Sequence, residues 1–490
     1  MLVLDGESMT IDTVYQIAFR GVKLDVSQQA LERMSVFREK LEKKIAGNEP
    51  IYGVNTGFGV LSNRKINDHD LKKLQVNLIR SHSTGVDPPF SRQIVRCAMA
   101  IKLNSLLRGN SCVRPSVALM LKDMLNKDVV PVVPSVGSLG ASGDLSPSAY
   151  IALVMIGEGK SYYKGELTES RLALRKAGLS PITLEPKEGI SLINGTSFTT
   201  AIGCVVILLG KKLLDFANSC VSLTGEVLRI SLQSFDEDLM QLRGQLGQIL
   251  MARDIMAKLK GSKNTRSSAV PQDPYSIRCS PQVHGSVYDA ISFAQAVVET
   301  ELNAVTDNPV MKEDGMILHG GNFHAQPIAM VLDLLSLALS YLGDLSLARI
   351  HQLMRASEQN RMFYARKPGL ESGLMLTEYA ATAIMNKNSN LVHPSSSYPA
   401  NVSGGVEDHA SHGVNAGLKA LCVADNVAKV LAIELICNSN ALEPDQADRL
   451  SPHCAKLLSK VQAISQPLAE DRPLGDDIER LSSYILGFRV

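Results

Sequence analysis

Apolar residues recur along much of the chain at helical rather than strand spacing. Leu421, Ala424, Ala428, Leu431 and Leu435 are separated by 3, 4, 3 and 4 positions, which places them on one face of a helix. Val283 to Asn303 repeats the pattern. Ala325 to Met354 sustains it well beyond average helix length, broken by single polar residues such as Asp333 and Asp344. Several of these segments are apolar around most of their circumference, so they need cover on every side from a large core or from partner subunits. Such a series predicts a bundle of long helices. Before about residue 205 the texture differs. Gly and Pro cluster at Gly53 to Gly59, Pro88-Pro89, Pro131, Pro134 and Gly137 to Pro147, which marks turns. Between them, Gln93 to Leu107 and Arg114 to Asn126 predict helices, and Val129 to Val133 a short strand. The expected fold is mainly α. A mixed, helix-rich N-terminal domain is expected over residues 1–205, and a long-helix bundle with a C-terminal helical region over residues 206–490. Gly261 to Pro274 is the most loop-like long stretch.

Composition narrows the function classes. A net charge of +1 gives no whole-chain field for nucleic acid or anionic membrane. With no Trp and 5% aromatic residues, stacking platforms for single strands are not expected either. The eight cysteines form no Cys-x-x-Cys and lie in apolar or helical sequence, as reduced, mostly buried thiols do. The start Met1-Leu2-Val3-Leu4 meets Asp5 and Glu7 at once, unlike a secretory signal. The apolar run Ala201 to Gly210 stops at Lys211-Lys212, short of transmembrane length. A cytoplasmic protein is expected.

The chemistry concentrates in Gly140-Ala141-Ser142-Gly143-Asp144-Leu145-Ser146-Pro147. The backbone nitrogen of Gly143 can attack the carbonyl carbon of Ala141 only where neither neighbour adds bulk. Loss of water, including dehydration of Ser142, would leave a five-membered ring with an exocyclic methylidene. That group is an electrophile, which no ordinary side chain supplies. Alone, Ala-Ser-Gly is an ordinary turn composition. The nucleophile elbow of serine hydrolases needs Gly-x-Ser-x-Gly, and Gly143 follows Ser142 too soon for it.

Other segments change the weighing. Ile51-Tyr52-Gly53-Val54-Asn55-Thr56-Gly57-Phe58-Gly59 has the wrong glycine spacing for a dinucleotide fingerprint. Asn194-Gly195-Thr196, Gln272-Asp273-Pro274-Tyr275-Ser276-Ile277-Arg278, Thr306-Asp307-Asn308-Pro309 and Gly320-Gly321-Asn322-Phe323-His324 follow in order. Together these segments resemble the aromatic amino acid ammonia-lyase and aminomutase family. The resemblance implies a 4-methylidene-imidazol-5-one (MIO) formed autocatalytically from Ala141, Ser142 and Gly143, with no exogenous cofactor. It also implies Tyr52 as the base for the β-proton, with Asn194 beside the MIO group and Phe323 packed near it. Gln272 and Tyr275 would line the site, and Arg278 would hold the substrate carboxylate through its planar fork. It further implies a homotetramer whose sites are each assembled from three subunits.

Substrate choice rests on two places. Leu74-Gln75-Val76-Asn77-Leu78-Ile79-Arg80 leads into Ser81-His82, where the resemblance points to the histidine type rather than to Phe-Leu or His-Leu types. Glu407-Asp408-His409 agrees, because a carboxylate offers an imidazole N–H a charge-assisted hydrogen bond and offers a phenyl ring nothing. The expected reaction is elimination of ammonia from L-histidine to give trans-urocanate, the first step of histidine degradation. Tyrosine or phenylalanine ammonia-lyase, or a 2,3-aminomutase, is the alternative. Gly405-Val406 stands where the family usually has Asn-Gln. The Ser395-Ser396-Ser397-Tyr398-Pro399 loop departs from the histidine type, and Arg361-Met362-Phe363-Tyr364 replaces the usual Pro-Phe-Leu. Glu407, His409 and His412, or His319 and His324, have no recognised zinc spacing, so no metal is expected. An inactive helical scaffold would have no need of Ser142, Tyr52, Tyr275 and Arg278 together.

Overall fold

The computed structural model describes residues 1–47, 49–266, 272–357 and 361–488. Part of the loop-like stretch Gly261 to Pro274, and residues 358–360 just ahead of Arg361, lie outside the described residues. The described residues form 19 α-helices, with strands only in four small sheets of two or three strands. Four long helices carry the centre: Ser197–Val227, Ser280–Leu302, Gln326–Ser357 and Gly413–Ala441. The last two pack along each other most extensively, and Ser197–Val227 packs against all three of the others. The 3-4 spacing read at Leu421 to Leu435 falls within Gly413–Ala441, where Ala424, Ala428, Leu431 and Leu435 are fully buried. In the N-terminal part, Arg92–Leu107 is buried from Ile94 onward and begins at Ser91, whose hydroxyl accepts the Ile94 N–H at 3.3 Å. Pro115 opens the next helix, Pro115–Asn126, and Val129–Pro131 forms the expected strand.

One expectation is corrected. The apolar run ending at Lys211-Lys212 belongs to a helix that continues to Val227. Lys211 lies on the exposed face, and Lys212 extends its ammonium over the Phe488 ring at 4.9 Å, so neither lysine interrupts the buried side. Ser197–Val227 and Gln326–Ser357 are both long and apolar enough to cross a membrane by length and composition. Most of each is buried within the chain's own core. The expected division near residue 205 falls inside the first of these helices.

A buried ion pair ties the bundle together. Arg349 donates to both oxygens of Glu434 at 2.6 and 2.9 Å, and both side chains are fully buried. Thr224 and Ser346 also donate to this carboxylate, at 2.7 and 2.6 Å. The remaining Arg349 nitrogen holds the Ser276 carbonyl at 3.1 Å, so the same pair fixes the short helix Tyr275–Arg278. Removing one charge would leave the other buried and unpaired. Glu434→Gln should therefore lower unfolding stability by about 3–5 kcal/mol, read as a lower urea midpoint.

Candidate active site

Two cavities, of about 730 and 540 Å³, meet at five shared residues: Tyr52, Gly59, Ser142, Asn194 and Glu407. The larger also carries Ala141, His319, Phe323, His324 and His409. The smaller is walled by Leu61, Leu74, Leu78, Ile190 and Ile193, with His82 among them. Sequence positions from 52 to 409 thus converge on one serine.

The serine is held by close backbone packing on both sides. Gly143 has φ +77°, and a Cβ there would sit 2.3 Å from the Gly195 carbonyl oxygen. Gly140 has φ +72°, and a Cβ there would sit 2.2 Å from Ser411 Oγ. Only glycine meets both demands at either position. Across the first contact, the Asp144 N–H donates to the Gly195 carbonyl at 2.7 Å, and Asn194 Nδ2 donates to the Ser142 carbonyl at 3.3 Å. Across the second, the His412 N–H donates to the Leu139 carbonyl at 2.8 Å. The tripeptide is therefore clamped between the start of Ser197–Val227 and the start of Gly413–Ala441.

Buried charges stand behind this clamp. Asp144 accepts from Thr199 twice, from N–H at 2.8 Å and from Oγ1 at 2.7 Å, in the first turn of Ser197–Val227. A helix N-terminus favours such an anion. Burial nevertheless pushes the Asp144 carboxyl up to about 6, against the pull of the Thr199 donors. Lys102, fully enclosed, donates to the carbonyls of Asn194 at 2.5 Å and Ser191 at 3.2 Å. Burial draws its ammonium down to about 8, against the charges of Asp307 and Asp144. Asn194 Oδ1 is buried with no hydrogen-bond partner among the described residues, which leaves an amide oxygen free beside Ser142.

Tyr52 is set by its own loop. Gly59 donates its N–H to the phenol oxygen at 3.0 Å, and Asn55 closes the turn by accepting the Ile51 N–H at 2.7 Å. Gln75, fully buried, donates to the Gly53 carbonyl at 3.1 Å and accepts from Gly189 and Ile190 at 2.9 and 3.2 Å. One amide thereby ties the Tyr52 loop to the short helix Glu188–Ile193 beside Asn194. His82 ends the helix Leu71–His82, with Nδ1 2.8 Å from the Leu78 carbonyl. A carbonyl can only accept, so Nδ1 carries the hydrogen and Nε2 is left as an acceptor. Burial lowers the pKa of His82, while the Leu78 contact and the charge of Glu407 oppose the shift. The imidazole is thus neutral at neutral pH. Glu407 lies in a tight turn closed by backbone pairing with Val402.

Gln272, Tyr275 and Arg278 form a second cluster. Arg278 donates to Gln272 Oε1 at 2.9 Å, and its guanidinium lies 4.5 Å from the Tyr275 ring centroid. Tyr275 is 69% exposed, and none of the three lines either cavity around Ser142. Within one chain, the expected site therefore exists in two parts.

A model of the family described as aromatic amino acid lyase matches residues 9–463. The chain belongs to the aromatic amino acid lyase family. Among relatives in that family, the histidine ammonia-lyase of Geobacillus thermodenitrificans is 39% identical over 489 residues, covering 99% of this chain and 97% of that protein. The Bacillus subtilis histidine ammonia-lyase is 38% identical, covering 99% and 96%. Solved family folds superpose closely. Histidine ammonia-lyase from Trypanosoma cruzi gives a TM-score of 0.91 at 33% identity, covering 99% of this chain and 93% of that one. Tyrosine aminomutase from Streptomyces globisporus gives 0.95 at 32%, covering 99% and 97%.

The His324 and His409 rings stack at 5.2 Å with 2° between their planes, and His319 meets the Tyr52 ring edge-on at 6.4 Å. No group of three or more side chains able to hold a metal ion occurs among the described residues. Gln75 and Lys102 escape a motif reading, although Gln75 lies inside the segment quoted ahead of His82. A buried polar residue in an apolar helix is the signal each of them carries.

Proposed function

We propose that the protein eliminates ammonia from L-histidine to give trans-urocanate, acting as a carbon–nitrogen lyase in the cytoplasm. The carrying observation is the convergence of Ser142, Tyr52 and Glu407 where the two cavities meet, with His82 in the wall of the smaller one. The 37–40% identity to histidine ammonia-lyases over nearly the whole chain supports the substrate.

The residues present fit an MIO group made from Ala141, Ser142 and Gly143. Glycine is required at 143 by the Gly195 contact, and Asn194 offers a free amide oxygen beside the serine. Once formed, that group supplies the electrophile that activates the substrate amine for departure. The chain's own side chains do the rest. His82 Nε2 and the Glu407 carboxylate give the apolar cavity two acceptors, which suit an imidazole N–H and leave a phenyl ring without a donor to offer them. Tyr52 takes the β-proton. Phe323 forms part of the wall of the larger cavity.

Arg278, Gln272 and Tyr275 enter the reading as groups supplied by another copy of the chain, in a homotetramer whose subunits share sites. Two features support this: the exposure of Tyr275, and an exposed apolar stripe of Met330, Leu334, Leu337 and Tyr341 along Gln326–Ser357. There Arg278 would hold the substrate carboxylate bidentately.

An assay of ammonia release from histidine, tyrosine and phenylalanine tests the substrate directly. Turnover of tyrosine with histidine left untouched would refute the reading and favour the tyrosine or aminomutase alternative. Within it, Glu407→Gln should lower kcat/KM for histidine by roughly tenfold to a hundredfold, the loss of one charge-assisted hydrogen bond, with the melting temperature unchanged.

A further inference from the structure

A separate cavity of about 330 Å³ opens where three N-terminal segments meet. Arg20 and Lys23 come from the loop between the helix Ile11–Ala18 and the strand Leu24–Val26. Arg92 and Arg96 come from the first turns of Arg92–Leu107, and Asp128 follows the end of Pro115–Asn126. No lining residue is shared with the two cavities at Ser142.

The charges here do not balance. Asp128 is the one carboxylate in the lining, and it is already divided: Arg92 donates to one oxygen at 2.7 Å and Arg96 to the other at 3.2 Å. Arg96 directs its other donors to the carbonyls of Ile17 at 2.9 Å and Leu125 at 3.2 Å. Lys23 donates to the Asn126 carbonyl, a neutral partner. Arg20 is exposed, with its guanidinium 5.4 Å from the centroid of the Tyr15 ring. Arg92 Nε is buried without a hydrogen-bond acceptor among the described residues, and the guanidinium lies 5.9 Å from the Tyr162 ring centroid. Four cations and one carboxylate leave a surplus of three positive charges in one concavity, in a chain whose net charge is +1. The surplus is therefore local. Mutual repulsion among these groups is relieved by a bound anion, and a concave low-dielectric wall focuses the field on it.

We infer that this cavity binds a phosphate dianion, either free or at the end of a small phosphate monoester. Planar guanidinium forks match the geometry of phosphate oxygens, and the exposed, unneutralised Arg20 and the Arg92 guanidinium in the cavity wall present them. The volume exceeds what a bare phosphate fills, and Ala18, Phe19 and Leu125 provide an apolar wall for a small organic body.

Calorimetric titration of the full-length protein with inorganic phosphate and with phenyl phosphate, in a zwitterionic buffer, tests the assignment. Saturable binding of one anion per chain is expected. Arg20→Gln and Arg92→Gln should each weaken it by about tenfold or more, the worth of a charged hydrogen-bonding partner. Arg20→Gln removes an exposed side chain, so the fold is not at stake in that variant. Lys312→Gln, which takes away a cation lining none of these cavities, should leave the affinity unchanged. Tighter binding of phenyl phosphate would assign the site to monoesters, and equal binding would assign it to free phosphate. Absence of saturable binding by either probe would overturn the inference. So would affinity that survives intact in both arginine variants.

Discussion

Ser142→Ala is expected to abolish turnover, by more than about a thousandfold, while the protein folds as before. Alanine differs from serine here by one oxygen, and the Ser142 hydroxyl makes no hydrogen bond among the described residues; its carbonyl, held by Asn194, is unchanged in the variant. The loss would therefore be chemical. Ring formation requires a β-hydroxyl to leave, and alanine has none. The same experiment has a readout that needs no substrate. Intact mass of the wild-type chain should fall about 36 Da below its sequence mass, two waters, and the variant should weigh its full sequence mass. Around the tripeptide, Gly143 packs against Gly195 and Gly140 against Ser411, contacts so close that only glycine fits at either position. An active wild-type protein of unmodified mass would sink the idea.

The sequence made the long helices legible, because a 3-4 spacing survives any tertiary context that buries one face. The apolar run Ala201 to Gly210 reads as stopping at Lys211-Lys212, short of transmembrane length, because composition counts both lysines against it, whereas the helix runs on to Val227. The lysine side chains avoid the core by geometry that composition does not carry: one points outward and the other lies over Phe488. The site was legible as a set of motifs. The structure gathers Tyr52, His82, Ala141, Ser142, Asn194, Phe323 and Glu407 around the paired cavities. It keeps Gln272, Tyr275 and Arg278 apart, and motif order along a chain is silent about which copy of the chain supplies a residue. The support behind the motifs was also out of reach. Lys102 reaches the carbonyl of Asn194 across 92 positions, and the His324 ring stacks on His409 across 85, contacts that no local pattern encodes.

Tyr52→Phe should separate chemistry from binding. The substituted ring keeps its shape, so its edge-on contacts with Phe58 and His319 and the form of both cavities are retained. What disappears is the oxygen, which now accepts the Gly59 N–H at 3.0 Å. That hydrogen bond contributes about 0.5–1.5 kcal/mol to stability, too little to unfold the chain. Losing a positioned proton acceptor is a different matter. General base catalysis is worth roughly a hundredfold to ten-thousandfold, so kcat should fall within that range while KM stays near its wild-type value. Binding of urocanate, which has neither the amine nor the β-proton to lose, should be nearly unchanged in the variant. Steady-state kinetics with histidine and product inhibition by urocanate together give the split. A variant that kept wild-type kcat would remove Tyr52 from the proton transfer. Glu407, the other proton acceptor that lines both cavities beside Ser142, or Tyr275 from another copy of the chain would then have to take the β-proton, and Glu407→Gln or Tyr275→Phe would have to lower kcat rather than raise KM.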